Sequence, residues 1–199
     1  MLRISHPVAT SRLILRPFTA ADLDDVWAYQ KLPEVARHML WPARTRDQSE
    51  RAVDQMVTED NIAGEGDCLS LAVVWPDAGR VVGQVELVWL SREHRQGELG
   101  YVFNPQYQGK GLATEAAAEM LRLGFEALGL HRIVGRCSAQ NSASARLLAR
   151  LGMRQEAHFV HNVRLKGEWK EELVYAMLQH EWRSNESPGQ KGDRTATGS

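Results

Sequence analysis

The 199-residue sequence has little that would direct the protein to a metal, a nucleic acid or a membrane surface. It contains only two cysteines, Cys68 and Cys137, in apolar surroundings and without a C-x-x-C pair or a histidine at metal-ligand spacing. Such cysteines predict reduced core thiols, no metal site and a cytoplasmic protein. Because the formal net charge is only −1, we expect no general attraction to nucleic acid or membranes, and any anion site must be local.

Long hydrophobic runs are also missing. Residues 1–18 lack the apolar core of a secretory signal, and no later run approaches the length of a membrane span. The last 16 residues, "SNESPGQKGDRTATGS", contain no large apolar side chain, which predicts a disordered tail over 184–199. We therefore expect one domain over 1–183, and 43% hydrophobic residues allow it a sizeable core.

Hydrophobic periodicity within that domain predicts helices interleaved with strands. The predicted strands cover 11–18, 69–75, 80–90, 97–104, 132–139, 154–165 and 170–178. The predicted helices follow Thr19, cover 46–62 after the cap Thr45, run from about Gly111 to Leu128, and follow the cap Asn141. Short turns between the strands over 69–104 indicate an antiparallel meander, so the fold class is α+β with a largely antiparallel sheet.

The segment "QGKGLA" over 108–113 stands between a predicted strand and a predicted helix. Gly109 and Gly111 permit unusual backbone angles and close approach, and the N–H groups of a helix start attract an anion. Lys110 adds a positive charge. A glycine-rich helix start without a ligand remains the alternative.

Two nucleotide-binding motifs do not fit this segment. A Walker A loop would need glycine at Asn104 and serine or threonine at Gly111, and the dinucleotide fingerprint would need glycine at Thr114.

A third pattern, Q/R-x-x-G-x-G/A, fits through Gln108, Gly111 and Ala113, and resembles the coenzyme A pyrophosphate loop of the GNAT superfamily of N-acyltransferases. The segments "ELGYVFNPQYQGKGLATEA", "NSASARLLARLGM" and "KGEWKEELVYAML" follow in order and resemble its RimJ/RimL branch, which acetylates protein N-terminal amines and assorted small amines. The resemblance extends from about Ser11 to Trp182. It implies the GNAT fold, direct acetyl transfer from acetyl-CoA without a metal, and a homodimer.

The resemblance also implies roles for particular residues. The pyrophosphate would lie on the backbone of Gln108, Gly109, Lys110, Gly111, Leu112 and Ala113, and the pantetheine arm beside Tyr101, Val102 and Phe103. A backbone N–H near Val102 or Phe103 would face the oxyanion, and Asn141 and Ser144 of the N-x-x-S pattern would also contact the cofactor. Many superfamily members carry a tyrosine where this sequence has Leu148, so Ser144 is the candidate acid for the leaving thiol. Glu98 is the candidate for handling the amine.

The acceptor is less well defined by the sequence. By resemblance, Trp41, Trp89, His161 and Trp169 would lie near it. A site with a weak base favours α-amines, because an α-amine titrates near ~7.7–8 and a lysine near ~10.4, a difference of roughly 3.5 kcal/mol. A protein N-terminus is therefore the first expectation. A small-molecule amine, another acyl group such as succinyl, and a coenzyme A-binding module without turnover remain alternatives.

Overall fold

The fold is built on a twisted sheet with helices on both faces, and the computed structural model describes residues 1–185 of it. The strands are β1 Leu2–Arg3, β2 Val8–Ala9, β3 Ile14–Pro17, β4 Asn61–Ile62, β5 Cys68–Trp75, β6 Arg80–Ser91, β7 Gln96–Phe103, β8 Arg132–Ser138, β9 Arg154–Leu165 and β10 Glu168–Leu178. The α-helices are α1 Leu23–Gln30, α2 Pro33–Ala36, α3 Arg46–Thr58, α4 Leu112–Arg122, α5 Ser142–Arg150 and α6 Gln179–Asn185.

Eight strands form the main sheet in the order β2-β3-β5-β6-β7-β8-β10-β9, while β1 and β4 form a separate pair. Every neighbouring pair in the main sheet is antiparallel except β7 and β8, which are parallel. A parallel pair needs a long crossover, and α4 provides it between these two strands. The mixed, mostly antiparallel sheet confirms the predicted α+β fold class.

The two faces of the sheet have separate apolar cores. Strand residues such as Leu99 and Phe103 pack with α4 and α5, while Val102 packs with Tyr29 of α1 and Val53 of α3. Alternate residues of one strand point to opposite faces. Consequently β7 carries side chains of both cores and lies at the centre of the molecule.

Several predicted boundaries differ from the observed ones. The predicted helix over 46–62 ends at Thr58, because Asn61–Ile62 pairs with Leu2–Arg3 as β4. The predicted strand over 11–18 is reduced to Ile14–Pro17. The turn "KGEW" is tighter than predicted, since β10 already begins at Glu168 and only Lys166 and Gly167 form the turn, both with positive φ.

At the carboxyl end, α6 follows β10 directly and includes Ser184 and Asn185. The rest of the predicted disordered tail lies outside the described residues. Within 1–185, no helix has both the length and the apolar character that a membrane crossing requires.

Candidate active site

The sheet opens between its two parallel strands. β7 and β8 are paired only from Gln96–Arg132 to Leu99–Gly135, whereas β6 pairs with β7 as far as Phe103. Residues 100–103 therefore have a strand partner on one edge only. This edge can bind an extended chain with amide groups, which is how the predicted residues Tyr101, Val102 and Phe103 would meet a pantetheine arm.

The glycine-rich segment begins where β7 ends. Gly109 and Gly111 have φ values of +76° and +79°, and Gly111 is the N-cap of α4 without a side-chain cap. Within residues 1–185, no hydrogen bond uses the backbone N–H groups of 109–111. These N–H groups at the positive end of a helix can donate to a pyrophosphate, the group that the resemblance assigns to this segment.

Side chains around this segment have structural roles of their own. The Gln108 amide donates to the Phe103 carbonyl (3.1 Å) and fixes the strand end. The Leu112 side chain is buried in the core and Ala113 packs against it, so only their backbone groups can meet a ligand. Lys110 is exposed, with its Nζ 5.7 Å from the Trp75 ring centroid.

A carboxylate that the sequence analysis missed ties the amino-terminal segment to this helix start. Glu115 Oε1 accepts hydrogen bonds from Thr10 Oγ1 (2.6 Å), Ser11 Oγ (2.8 Å) and the Arg12 backbone N–H (2.8 Å). Arg12 also donates to Glu115 Oε2 (2.7 Å) and to the Lys110 carbonyl (2.9 Å). Burial alone would raise the pKa of Glu115, but these hydrogen bonds lower it to about 2.

Two hydroxyl groups meet on the α5 side of the opening. Tyr101 Oη lies 2.7 Å from Ser144 Oγ, and Asn141 Oδ1 accepts from the Ser144 backbone N–H (3.1 Å), which confirms Asn141 as the cap of α5. Burial raises the pKa of Tyr101, so its hydroxyl stays protonated near neutral pH. The sequence analysis used only the backbone of Tyr101.

Carboxylates occupy the opposite face. Glu98 lies 3.4 Å from Arg136, which also lies 3.4 Å from Glu172, so an ion-pair cluster crosses three adjacent strands. Burial raises the pKa of Glu98, although Arg136 partly offsets this increase.

Glu86 of β6, a second carboxylate absent from the predicted set, lies on this face. Its strand partner is Gly100, the first residue past the β7–β8 pairing, and a Cβ at Gly100 would lie 3.3 Å from Glu86 Oε2. Burial raises the pKa of Glu86. Sequence reasoning missed it because only the strand register brings it to the opening.

The four predicted acceptor residues do not converge. Trp89 is only 7% exposed and is paired with Gly97, where β7 and β8 are still joined, so it is a core residue outside the opening. Trp41 follows α2 and lies under the Arg44 guanidinium, 4.6 Å from the ring centroid. His161 and Trp169 are exposed on the β9–β10 hairpin.

A cavity of about 390 Å³ lies beyond the ion-pair cluster, among the end of β8, the segment after α2 and the β9–β10 turn. Its lining comprises Arg37, His38, Ser138, Gln140, Leu165, Lys166, Glu168 and Lys170. Trp169 alternates with Glu168 and Lys170 and therefore points to the other face. Among the residues described, no three His, Cys, Asp or Glu side chains are grouped so as to hold a metal ion.

An open parallel strand pair beside an uncapped, glycine-rich helix start has room and hydrogen-bond donors for a cofactor with a pyrophosphate and an amide-bearing arm. Comparison with known families agrees. A model described as an acetyltransferase (GNAT) domain matches residues 12–154, and the chain belongs to this family. The protein is an N-acetyltransferase, and its family takes the acetyl group from acetyl-CoA.

Related proteins differ in their named acceptors. The chain is 32% identical over 176 residues to the uncharacterized N-acetyltransferase YnaD of Bacillus subtilis (strain 168), covering 88% of this chain and 98% of that protein. It is 31% identical over 113 residues to the spermidine N(1)-acetyltransferase of Escherichia coli (strain K12), covering 56% and 61%. It is 26% identical over 183 residues to the [ribosomal protein uS5]-alanine N-acetyltransferase of the same strain, covering 88% and 92%.

Solved structures share the fold. A GNAT-family acetyltransferase from Bacillus anthracis superposes with a TM-score of 0.77 at 29% identity, covering 88% of this chain and 99% of that one. Spermidine N-acetyltransferase from Vibrio cholerae, in complex with CoA and spermine, has a TM-score of 0.73 at 22% identity, covering 87% and 99%.

Proposed function

We propose that this N-acetyltransferase transfers acetyl directly from acetyl-CoA to an uncharged α-amine, with a protein N-terminus as the first acceptor to test. The observation that carries the proposal is the placement of two carboxylates, Glu86 and Glu98, beside the strand edge at Gly100. Burial raises the pKa of both carboxyl groups, and a carboxylate is in general a weaker base than an amine. An α-amine needs roughly 3.5 kcal/mol less than a lysine to lose its proton near neutral pH, so a weak base suits it.

For acetyl-CoA, the proposed site consists of the free N–H groups of 109–111 and the unpaired edge of residues 100–103. The backbone N–H near Val102 or Phe103 would face the acyl oxygen, where one such donor is worth roughly 3–4 kcal/mol in other enzymes.

Glu86 is the proposed proton acceptor. As the amine nitrogen bonds to the acyl carbon and the carbon–sulfur bond breaks, one amine proton moves to Glu86, directly or through water. Glu98 is not the proposed proton acceptor, because Arg136 already compensates much of its charge. Its proposed role is to accept a hydrogen bond from the amine.

Ser144 is the proposed proton donor to the leaving sulfur. Its hydroxyl can draw on Tyr101, whose protonated hydroxyl lies 2.7 Å away. Leu148, where relatives of this superfamily often carry tyrosine, is buried and has no proton to give.

Membership of the RimJ/RimL branch belongs to this proposal, and the expected homodimer stays a prediction. The spermidine acetyltransferase relative favours a second candidate, acetylation of a small polyamine.

Thiol release from acetyl-CoA tests the proposal. The acceptors are peptides with a free N-terminal Ala, Ser or Thr, the same peptides N-blocked but containing lysine, and spermidine. Release with free N-termini only is the expected result. Release with spermidine alone would support the second candidate, and measurable acetyl-CoA binding without release would contradict the assignment of these acceptors.

A further inference from the structure

The cavity beyond the ion-pair cluster has a distinctly positive lining. Arg37, Lys166 and Lys170 face a single carboxylate, Glu168, which pairs with Lys170. Arg37 and Lys166 form no ion pair among residues 1–185. Two positive charges therefore remain uncompensated in the cavity.

A hydrogen bond and shared proximity to His38 place these cations close together. Lys166 Nζ donates to the Ala36 carbonyl at the end of α2 (2.6 Å), which joins the β9–β10 turn to the segment carrying Arg37 and His38. The pKa of His38 is lowered, first by burial and then by Arg37, Lys166 and Lys170. The imidazole therefore experiences all three charges at once.

The cavity also lies next to the proposed catalytic carboxylates. Ser138, on its wall, follows Arg136 by two residues on the same face of β8 and is paired with Glu172 of β10. Arg136 contacts Glu98. A ligand reaching from the opening into the cavity thus meets negative charge at its first end and positive charge at its second.

We infer that the acceptor is an amine that also carries a side-chain carboxylate, with the amine at Glu86 and Glu98 and that carboxylate among Arg37, Lys166 and Lys170. This inference rests on the proposed function and specifies its substrate class. A polyamine such as spermidine would bring additional positive charge to an already cationic wall, and like charges close together repel. The carboxylate can belong to a free acidic amino acid or to an acidic N-terminal residue of a peptide.

The test compares acceptors that differ by one charge. Aspartate is paired with asparagine, and a peptide beginning with Asp is paired with the same peptide beginning with Asn; spermidine is the cationic acceptor. We expect kcat/KM, from thiol release with product mass confirmed, to be at least about tenfold higher for Asp than for Asn in one pair. A preference within the amino-acid pair would identify a free amino acid as the acceptor, and a preference within the peptide pair would identify a peptide.

Variants locate the preference. Arg37→Gln and Lys170→Gln should each lower the Asp-to-Asn ratio at least fivefold, whereas Arg51→Gln, which removes an exposed charge from α3, should leave it unchanged. Added salt should also reduce the ratio. Equal rates for Asp and Asn, a preference for spermidine, or a ratio insensitive to both cavity variants would overturn the inference while leaving acetylation of an amine intact.

If no acceptor is turned over, the proposed function is contradicted. A binding measurement then tests the inference separately. With CoA present, N-acetyl-aspartate and N-acetyl-asparagine are titrated into the protein and followed by NMR. At least fivefold tighter binding of the aspartate derivative, lost in Arg37→Gln, would support a subsite for the side-chain carboxylate. Equal affinities would refute it.

Discussion

The tether between Glu115 and the amino-terminal segment gives a quantitative prediction for the substitution Glu115→Gln. The carboxylate accepts hydrogen bonds from Thr10, Ser11 and Arg12, and its side chain is 14% exposed. A glutamine of nearly the same shape removes the charge and one of the two acceptor oxygens. The variant therefore isolates what the ionised group contributes.

The expected loss of stability follows from the pKa of Glu115. It falls from an ordinary 4.5 to about 2 in the folded protein, and at about 1.4 kcal/mol per pKa unit the difference corresponds to about 3 kcal/mol. Because the glutamine keeps some of the hydrogen bonds, we expect the free energy of unfolding to drop by about 2 kcal/mol at pH 7. Since Arg12 also holds the Lys110 carbonyl, acetyl-CoA affinity should fall several-fold.

The pH dependence has a definite sign. A carboxyl with a lowered folded-state pKa stabilises the protein above its unfolded pKa of about 4.3, and this contribution is lost as the pH falls toward 2. Urea unfolding of the parent and of Glu115→Gln at pH 7, 5, 4 and 3 should show a difference that is constant above pH 5 and shrinks below it. Glu50→Gln, an exposed change on α3, serves as the control and should show no such trend. A difference that stays the same from pH 7 to pH 3 would refute the charge-based explanation.

Four further substitutions, at Gly111, Glu86, Glu98 and Ser144, test the site. Gly111→Val forces a β-branched residue into φ +79°, so acetyl-CoA should bind at least tenfold more weakly by calorimetry. Gly129→Val, with φ +71° outside the site, is the control for strain alone. Unchanged affinity in Gly111→Val would contradict the assignment of this loop to the cofactor. Glu86→Gln should lower kcat/KM about 100-fold and abolish the acidic limb of its pH profile, whereas Glu98→Gln should lower it less than tenfold; the opposite order would make Glu98 the base. Ser144→Ala should reduce kcat at least tenfold with little change in acetyl-CoA affinity, and an unchanged rate would eliminate Ser144 as the acid.

Local patterns were enough to predict most of the fold, because each strand and helix in the centre of the chain has its own periodicity and its own breaker. The errors occur where a distant partner decides the conformation. Asn61–Ile62 leaves the helical pattern because Leu2–Arg3 pairs with it, and residues 11 and 12 leave the predicted strand because Glu115 holds them. Neither partner can be identified from nearby residues.

The site divides in the same way. The proposed anion-binding segment is contiguous, so its glycines, its lysine and the helix that follows are visible in the sequence. The proposed proton-transfer groups are not contiguous: Glu86 reaches the opening only through its register with Gly100, and Tyr101 contacts Ser144, 43 residues away in sequence.

The contact between Leu148 and Gly135 explains why this position carries leucine. Its absent hydroxyl looks in the sequence like a lost catalytic group, yet a Cβ at Gly135 would lie 2.6 Å from Leu148 Cδ2, so the leucine fills the space above a glycine of β8. In the proposed mechanism, proton donation does not depend on this position, because the part-buried Tyr101 hydroxyl lies 2.7 Å from Ser144 Oγ. The substitution at 148 is therefore a packing choice that fits an active acetyltransferase, and it gives no support to a coenzyme A-binding module without turnover.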